Sequence, residues 1–328
     1  MSDTRLKKRP RADEEGKDSN SLPSSSRAVA ARRDEECWYE DGNLVLAARD
    51  VEFRVYMGPL VKHSPVFKDM LSLPQPDART GNTVPRVDVT DSPEDLRHFL
   101  RCFALGNELY LNATPSGTST AFDKVSAVVR LCHKYEVEDL LQQALRWLKA
   151  RYPSSADGWH LRLCHEPTPL QSIGVVHLAR LTHTSSLLIP AFLDCCTLTM
   201  QELKEGFERE DGQRECLSEE DFLRVLNART ELMRADAQAA IHILRPETQP
   251  YCPTKAECTN SLLQTLKAVA AATNPGRTRL RPHMSETWWE RIENDLYTLC
   301  DSCSDDVDQR QQEMRLALWD RLPSIFGL

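Results

Sequence analysis

"VEFRVYMGPLVKHSPVFKDMLSLP", residues 51–74, changes its repeat part-way along. Val51, Phe53 and Val55 alternate with Glu52, Arg54 and Tyr56, the two-residue period of a half-buried strand. From Ser64 the period lengthens. Ser64 suits an N-cap, Pro65 suits the first helical position, and Val66, Phe67, Met70 and Leu71 fall along one side of a helix. Pro74 and Pro76 forbid continuation, because proline removes a backbone donor and clashes with the preceding turn. No catalytic side chain stands out in so short a helix. Its apolar side needs a partner, and the flanking sequence must supply it.

Upstream, Leu44 and Leu46 alternate in the same way, and Ala48–Arg49–Asp50 is short enough to close a hairpin. Downstream, "PRVDVTD" (85–91) reads as a third strand with Val87 and Val89 on one face. "DSPEDLRHFLRCFALG" (91–106) then carries a full set of helix signals. Ser92 caps it, Pro93 opens it, Glu94 and Asp95 favour the positive end of its dipole, and Gly106 is placed to stop it. Leu96, Phe99, Leu100 and Phe103 form its buried stripe. Phe122, Val125, Val128, Val129, Cys132 and Tyr135 mark the next helix, and Val137, Leu140, Leu141, Ala144 and Leu148 another. The expected order is strand, strand, short helix, strand and three helices.

Four blocks in that order, "DGNLVL", the stretch at 51–74, "VDVTDSPEDLRHFLRCF" and "KVSAVVRLCHKYEVEDLLQQALRWL", resemble a BTB/POZ domain of the type found in large fungal families. The resemblance covers residues 39–152, about a third of the chain. It implies an α+β unit in which helical hairpins pack on a small sheet and serve as a protein-binding scaffold. One position departs from the family. Tyr56 and Met57 stand where many members have His followed by a basic residue. That basic residue helps form a charged pocket at the dimer interface of many animal members, so pocket-mediated co-repressor binding and the usual dimer are not carried over.

The domains expected are therefore a disordered polar tail at 1–36, the BTB/POZ unit at 37–152 and an all-α C-terminal region at 153–328. In that last region "PLQSIGVVHLARLTHTSSLLIPAFLDCCTL" (169–198) reads as two helices broken at Pro190. "LSEEDFLRVLNARTELMRADAQAAIHIL" (217–244) opens with a cap at Ser218 and acids in its first turn. Near the end, Trp319, Leu322 and Phe326 require burial. The tail has too little apolar surface to offset the entropy of ordering it. Within it Lys7, Lys8, Arg9 and Arg11 form a compact basic cluster that reads as a nuclear-import signal, against the plainer reading of a solvated charge run.

The totals are those of a globular protein, with 41% hydrophobic and 27% charged residues among 328. No apolar run is long enough to span a bilayer and the N-terminus lacks an apolar leader, so a nuclear or cytoplasmic protein is expected, not a secreted or membrane one. In such a compartment the eleven cysteines stay reduced, which leaves them as core residues, reactive thiols or metal ligands. The net charge of −8 argues against direct nucleic-acid binding, which needs a basic surface to displace counterions.

Motifs of catalysis are missing. No two glycines have G-x-G spacing, and neither a G-x-S-x-G elbow nor an H-E-x-x-H helix occurs. A calcium loop centred on Gly212 would place Phe207, Arg209 and Ser218 at ligand positions, which excludes it. Cys132–His133 and Cys164–His165 are adjacent pairs pointing about 100° apart on a helix, and Cys195–Cys196 lies in an apolar segment; all are expected to be structural. One constellation carries chemistry. "YCPTKAEC" and "LCDSC" provide Cys252, Cys258, Cys300 and Cys303, two pairs of thiols that suit a closed tetrahedral structural zinc site.

The function expected is non-enzymatic protein binding, as adaptor or scaffold. Two versions follow from the resemblance: a substrate adaptor for a cullin-type ubiquitin ligase, and a nuclear transcriptional co-regulator. The adaptor version requires an exposed apolar patch on the 93–105 and 122–135 helices. A protein that binds only further copies of itself, and an enzyme hidden in the helical half, are the remaining classes.

Overall fold

Four short strands form one mixed sheet in the order β1–β3–β2–β4, with β1 at Arg32–Trp38, β2 at Leu44–Ala48, β3 at Val51–Val55 and β4 at Arg86–Val89. β2 and β3 are antiparallel, with Leu46 opposite Phe53 and Ala48 opposite Val51. The turn between them is two residues, and Arg49 adopts φ +52°, the left-handed geometry that suits a tight hairpin. Leu44, Leu46, Ala48, Val51, Phe53 and Val55 are all buried, so the alternation in the sequence becomes one apolar face. β4 runs parallel to β2, and β1 runs parallel to β3. The structure is a computed structural model that describes residues 31–73, 84–105, 119–161, 168–272 and 298–328. Lys7, Lys8, Arg9 and Arg11 lie outside the described residues, as do Pro74, Pro76, Gly106, Cys164 and His165.

β1 corrects the expected tail boundary at residue 36. Its polar sequence is ordered by partners far along the chain. Asp34 is buried, its carboxylate accepts the backbone N–H groups of Glu36 and Cys37, and it pairs with Arg97 at 2.8 Å. Arg101 Nε donates to Glu36 at 2.7 Å. Charge complementarity thus takes the place of apolar content in this strand.

The stretch at 51–74 holds two helices, α1 (Met57–His63) and α2 (Pro65–Ser72), where one was expected. α1 has no side-chain cap and contains Gly58 and Pro59 in its first turn, so its sequence carries little helical signal. Ser64 performs the expected capping, accepting the Phe67 N–H at 3.0 Å, and its hydroxyl donates to the Tyr135 carbonyl at 2.6 Å. Phe67 is fully buried, 4.4 Å from the Tyr135 ring and 6.4 Å from that of Phe99. Helix α2 therefore packs on α3 (Pro93–Leu105) and on the end of α4 (Ser119–Lys134). That is the partner its apolar side requires.

Helix α3 has the expected cap, Ser92 accepting the Asp95 N–H at 3.2 Å, and the expected stripe, with Leu96, Phe99 and Leu100 buried and Phe103 partly so. α4 and α5 (Glu138–Arg151) pack antiparallel behind it, through Phe122, Val125, Val128, Val129, Leu140, Ala144 and Leu148. Tyr56 stacks on Tyr39 and donates to Asp41 at 2.6 Å, while the Met57 N–H donates to Asn43. These two positions close one end of the sheet.

The C-terminal half comprises α6 (Ala156–Leu161), α7 (Ser172–Leu181), α8 (Leu188–Thr197), α9 (Met200–Glu205), α10 (Glu219–Ile243), α11 (Lys255–Ala272) and α12 (Asp301–Phe326). Two expectations are corrected. The chain breaks at Thr182–Thr184, where His183 has φ +54°, and not at Pro190. Pro190 is the third residue of α8, where its missing N–H would have had no intrahelical acceptor. The region is also not wholly helical: β5 (Phe207–Glu208) and β6 (Arg214–Glu215) form an antiparallel hairpin. Gly206 and Gly212 permit it with φ +66° and +75°, and a Cβ on Gly206 would collide with the Glu215 carbonyl.

No break in packing accompanies the expected domain boundary at 152/153. One apolar core runs from Cys37 through the sheet, α3–α5, α7 and α8 to Leu318, Leu322 and Phe326. Phe326 stacks on Phe192 at 5.3 Å, and Phe122 meets Phe207 edge-on at 6.1 Å. The fold is α+β with a large helical part, and the two parts share their interior. A second, smaller core joins Ala239, Ile243 and Leu244 of the α10 end to Leu262 of α11 and Val307 of α12. Among the described residues, no helix is long and apolar enough to cross a membrane.

Candidate metal centre

Beside the smaller core, α11 and α12 begin close together, and all four cysteines of the expected constellation meet there. Cys252 sits in a turn held by its N–H to the Gln249 carbonyl, just ahead of α11. Cys258 lies in the first turns of α11, with its N–H on the Thr254 carbonyl. Cys300 is the N-cap residue of α12 and Cys303 lies in its first turn. The C-x2-C spacing works because an N-cap and the residue three further on face the same way across one helical turn. C-x5-C works because a turn folds Cys252 back over the start of the helix.

The four Sγ atoms all lie within 4.8 Å of one another. Zinc–thiolate bonds of about 2.3 Å in a tetrahedron demand sulfur separations of about 3.8 Å. The Sγ atoms of Cys252 and Cys300 are 3.6 Å apart. Four thiols at this spacing could hold one metal ion. Hydrogen-bonding groups lie against two of the sulfurs. The Cys300 N–H points at Cys258 Sγ at 3.4 Å, Thr254 Oγ1 lies 3.3 Å from the same sulfur, and Ser302 Oγ lies 3.4 Å from Cys300 Sγ.

These partners divide the thiols. The Ser302 hydroxyl and then the Cys303 N–H hold the Cys300 thiol down at about 6. Desolvation pushes Cys303 up to about 12 and moves Cys252 upward too. Cys252, Cys258 and Cys303 are buried, and Cys300 is half-exposed. The other sequence candidates stay apart. Cys132 is buried beside an exposed His133, and Cys195 and Cys196 are buried in the main core, where desolvation raises their thiols.

A second constellation escaped the sequence reading because its members are far apart in the chain. Around Asp95, at the start of α3, lie Arg130 of α4 and Arg209 of the β5–β6 hairpin, each 2.9 or 2.8 Å from a carboxylate oxygen. Both arginines also reach Glu215, at 3.3 and 3.4 Å, and Arg209 adds Asp211 at 2.9 Å. Nearby, His98 Nε2 meets Glu210 at 2.6 Å. Burial outweighs Glu210 and lowers the pKa of His98 below the ordinary imidazole value. The network replaces the rejected calcium loop: the hairpin's charges face protein partners. The chain matches no protein-family model and no curated protein.

Proposed function

We propose that this chain is a non-enzymatic protein-interaction scaffold. Its sheet and α1–α5 form a BTB-type unit, and a structural zinc ion bound by Cys252, Cys258, Cys300 and Cys303 clamps its C-terminal helices. The observation that carries the scaffold reading is the order of elements, with helices packed in pairs on a small mixed sheet and their interior filled by Phe67, Phe99 and Tyr135. The observation behind the zinc is the gathering of four Sγ atoms within 4.8 Å. Zinc bound there supplies folding free energy and leaves no open coordination position for chemistry.

Of the two partner readings, the co-regulator is favoured over the cullin adaptor. Among the described residues, the large exposed hydrophobics include Tyr56, Met200, Met233 and Ile241, but none on α3 or α4, where the adaptor reading needs them. The outer side of α3 carries Arg97 and Arg101, both committed to β1. A nuclear partner also accords with import through Lys7, Lys8, Arg9 and Arg11.

Affinity purification of the intact chain, with partners identified by mass spectrometry, tests the reading. Chromatin proteins recovered reciprocally are the expected result, and a cullin recovered reciprocally would restore the adaptor. A monomer with no stable partner would overturn the scaffold. Metal analysis of protein never exposed to chelator should give about one zinc per chain, and less than about 0.2 would remove zinc from the account. Replacing the four basic tail residues by alanine in a fluorescent fusion should reduce nuclear enrichment.

A further inference from the structure

We propose that Cys300 is an oxidative modification site, through which a hydroperoxide converts the Cys252–Cys300 pair to a disulfide and expels the zinc ion. The inference rests on the zinc reading above and assigns regulation to that site. Its basis is an asymmetry among the four ligands. Three are buried, and Cys300 alone is half-exposed, so a small oxidant approaching from solvent meets that sulfur first. The Cys252 sulfur lies 3.6 Å from it. A disulfide needs about 2.05 Å, which asks for an approach of roughly 1.5 Å.

Cys252 is the ligand able to make that approach. It stands in a turn between Pro250 and Pro253, outside any helix, whereas Cys258 and Cys303 are fixed by the first turns of α11 and α12. As a zinc ligand Cys300 is already a thiolate, the nucleophilic form of the thiol. Attack on the peroxide forms a sulfur–oxygen bond as the oxygen–oxygen bond breaks, giving a sulfenic acid on Cys300 and one hydroxide or alkoxide. The Cys252 thiolate then attacks that sulfur. The sulfur–sulfur bond forms, and the sulfenic oxygen leaves as hydroxide. Two electrons have passed from the sulfur pair to the peroxide, and zinc keeps its charge throughout. With two thiolates left, the ion loses its closed site. The smaller core of Ile243, Leu262 and Val307 then loses the clamp beside it.

The test uses full-length protein as isolated, with Cys164 and Cys216 changed to serine to remove one exposed competing thiol and one thiol outside the described residues. Zinc is measured first. Hydrogen peroxide is then added, released zinc is followed with a chromogenic chelator, and disulfides are mapped by peptide mass spectrometry. The expected result is about one zinc released per chain together with a Cys252–Cys300 disulfide, reversed by dithiothreitol and added zinc. Zinc that stays bound at peroxide concentrations oxidising free glutathione would overturn the redox proposal and leave the zinc reading intact. A disulfide between Cys258 and Cys303, or irreversible oxidation with no disulfide, would overturn it as well. Protein isolated without zinc would overturn both, and that outcome appears before any oxidant is added.

Discussion

Arg209 Nη2 donates to Asp95 Oδ2 at 2.8 Å, across 114 residues of chain. One residue lies in a two-stranded hairpin and the other in the first turn of α3, and both side chains are nearly buried. The contact binds the helical half to the sheet-bearing half by charge, beside the apolar core that already joins them. Asp95 neutralises two guanidinium groups at once, because Arg130 takes it bidentately. Among the described residues, removing it leaves both arginines with Glu215 and Asp211 as counter-charges. Asp95→Ala should therefore cost on the order of 3–5 kcal/mol, the penalty of breaking a buried pair on one side. Urea unfolding measures it, and a loss below about 1 kcal/mol would show that the network is solvated and weak.

Phe99 sits where α2, α3 and the end of α4 meet. It is fully buried, edge-on to Phe103 at 5.1 Å and 5.7 Å from Tyr135. Phe99→Ala should destabilise the fold by about 3–5 kcal/mol, whereas Phe99→Leu, which keeps most of the volume, should cost less. Equal losses for the two would mean that aromatic geometry matters more here than volume.

Removal of the zinc proposed at the four cysteines should act locally. The core around Leu262 is small, while the main core does not pass through the four-cysteine cluster. Chelation should speed hydrogen exchange of α11 amides near Cys258 by at least about tenfold, and leave those around Phe99 and Val128 unchanged. Uniform acceleration across the chain would show that the metal supports the whole fold.

His98 makes stability depend on pH. Its folded pKa is lowered by burial, so the unfolded chain binds the proton more readily in the range below about 6.5. Stability is thus lost as pH falls through the unfolded value, and the loss levels off below the folded one. His98→Gln, which retains a donor towards Glu210, should flatten this part of the profile. Thermal unfolding between pH 7.5 and 5.5 is the measurement, and an unchanged slope would assign the effect to other groups.

The sequence by itself determined the features whose cause is local. Alternation placed the faces of β2 and β3, Ser64 and Ser92 announced two helix starts, and the stripe of α3 follows from helical spacing. C-x2-C announced half of the four-cysteine cluster for the same reason, since one helical turn brings its sulfurs together. Tertiary structure decided the rest. β1 looked like solvated tail because the arginines that order Asp34 and Glu36 come more than sixty residues later. The hairpin at 207–215 falls in a region expected to be all helical, and its charges find their partners only when Asp95 and Arg130 are set opposite it. The two cysteine pairs could be known to share a site only once α10 had laid the starts of α11 and α12 side by side. Short-range order depends on φ/ψ and side-chain period, which neighbours in sequence control. Long-range pairing depends on which surfaces the apolar core brings together, and no local stretch contains that information.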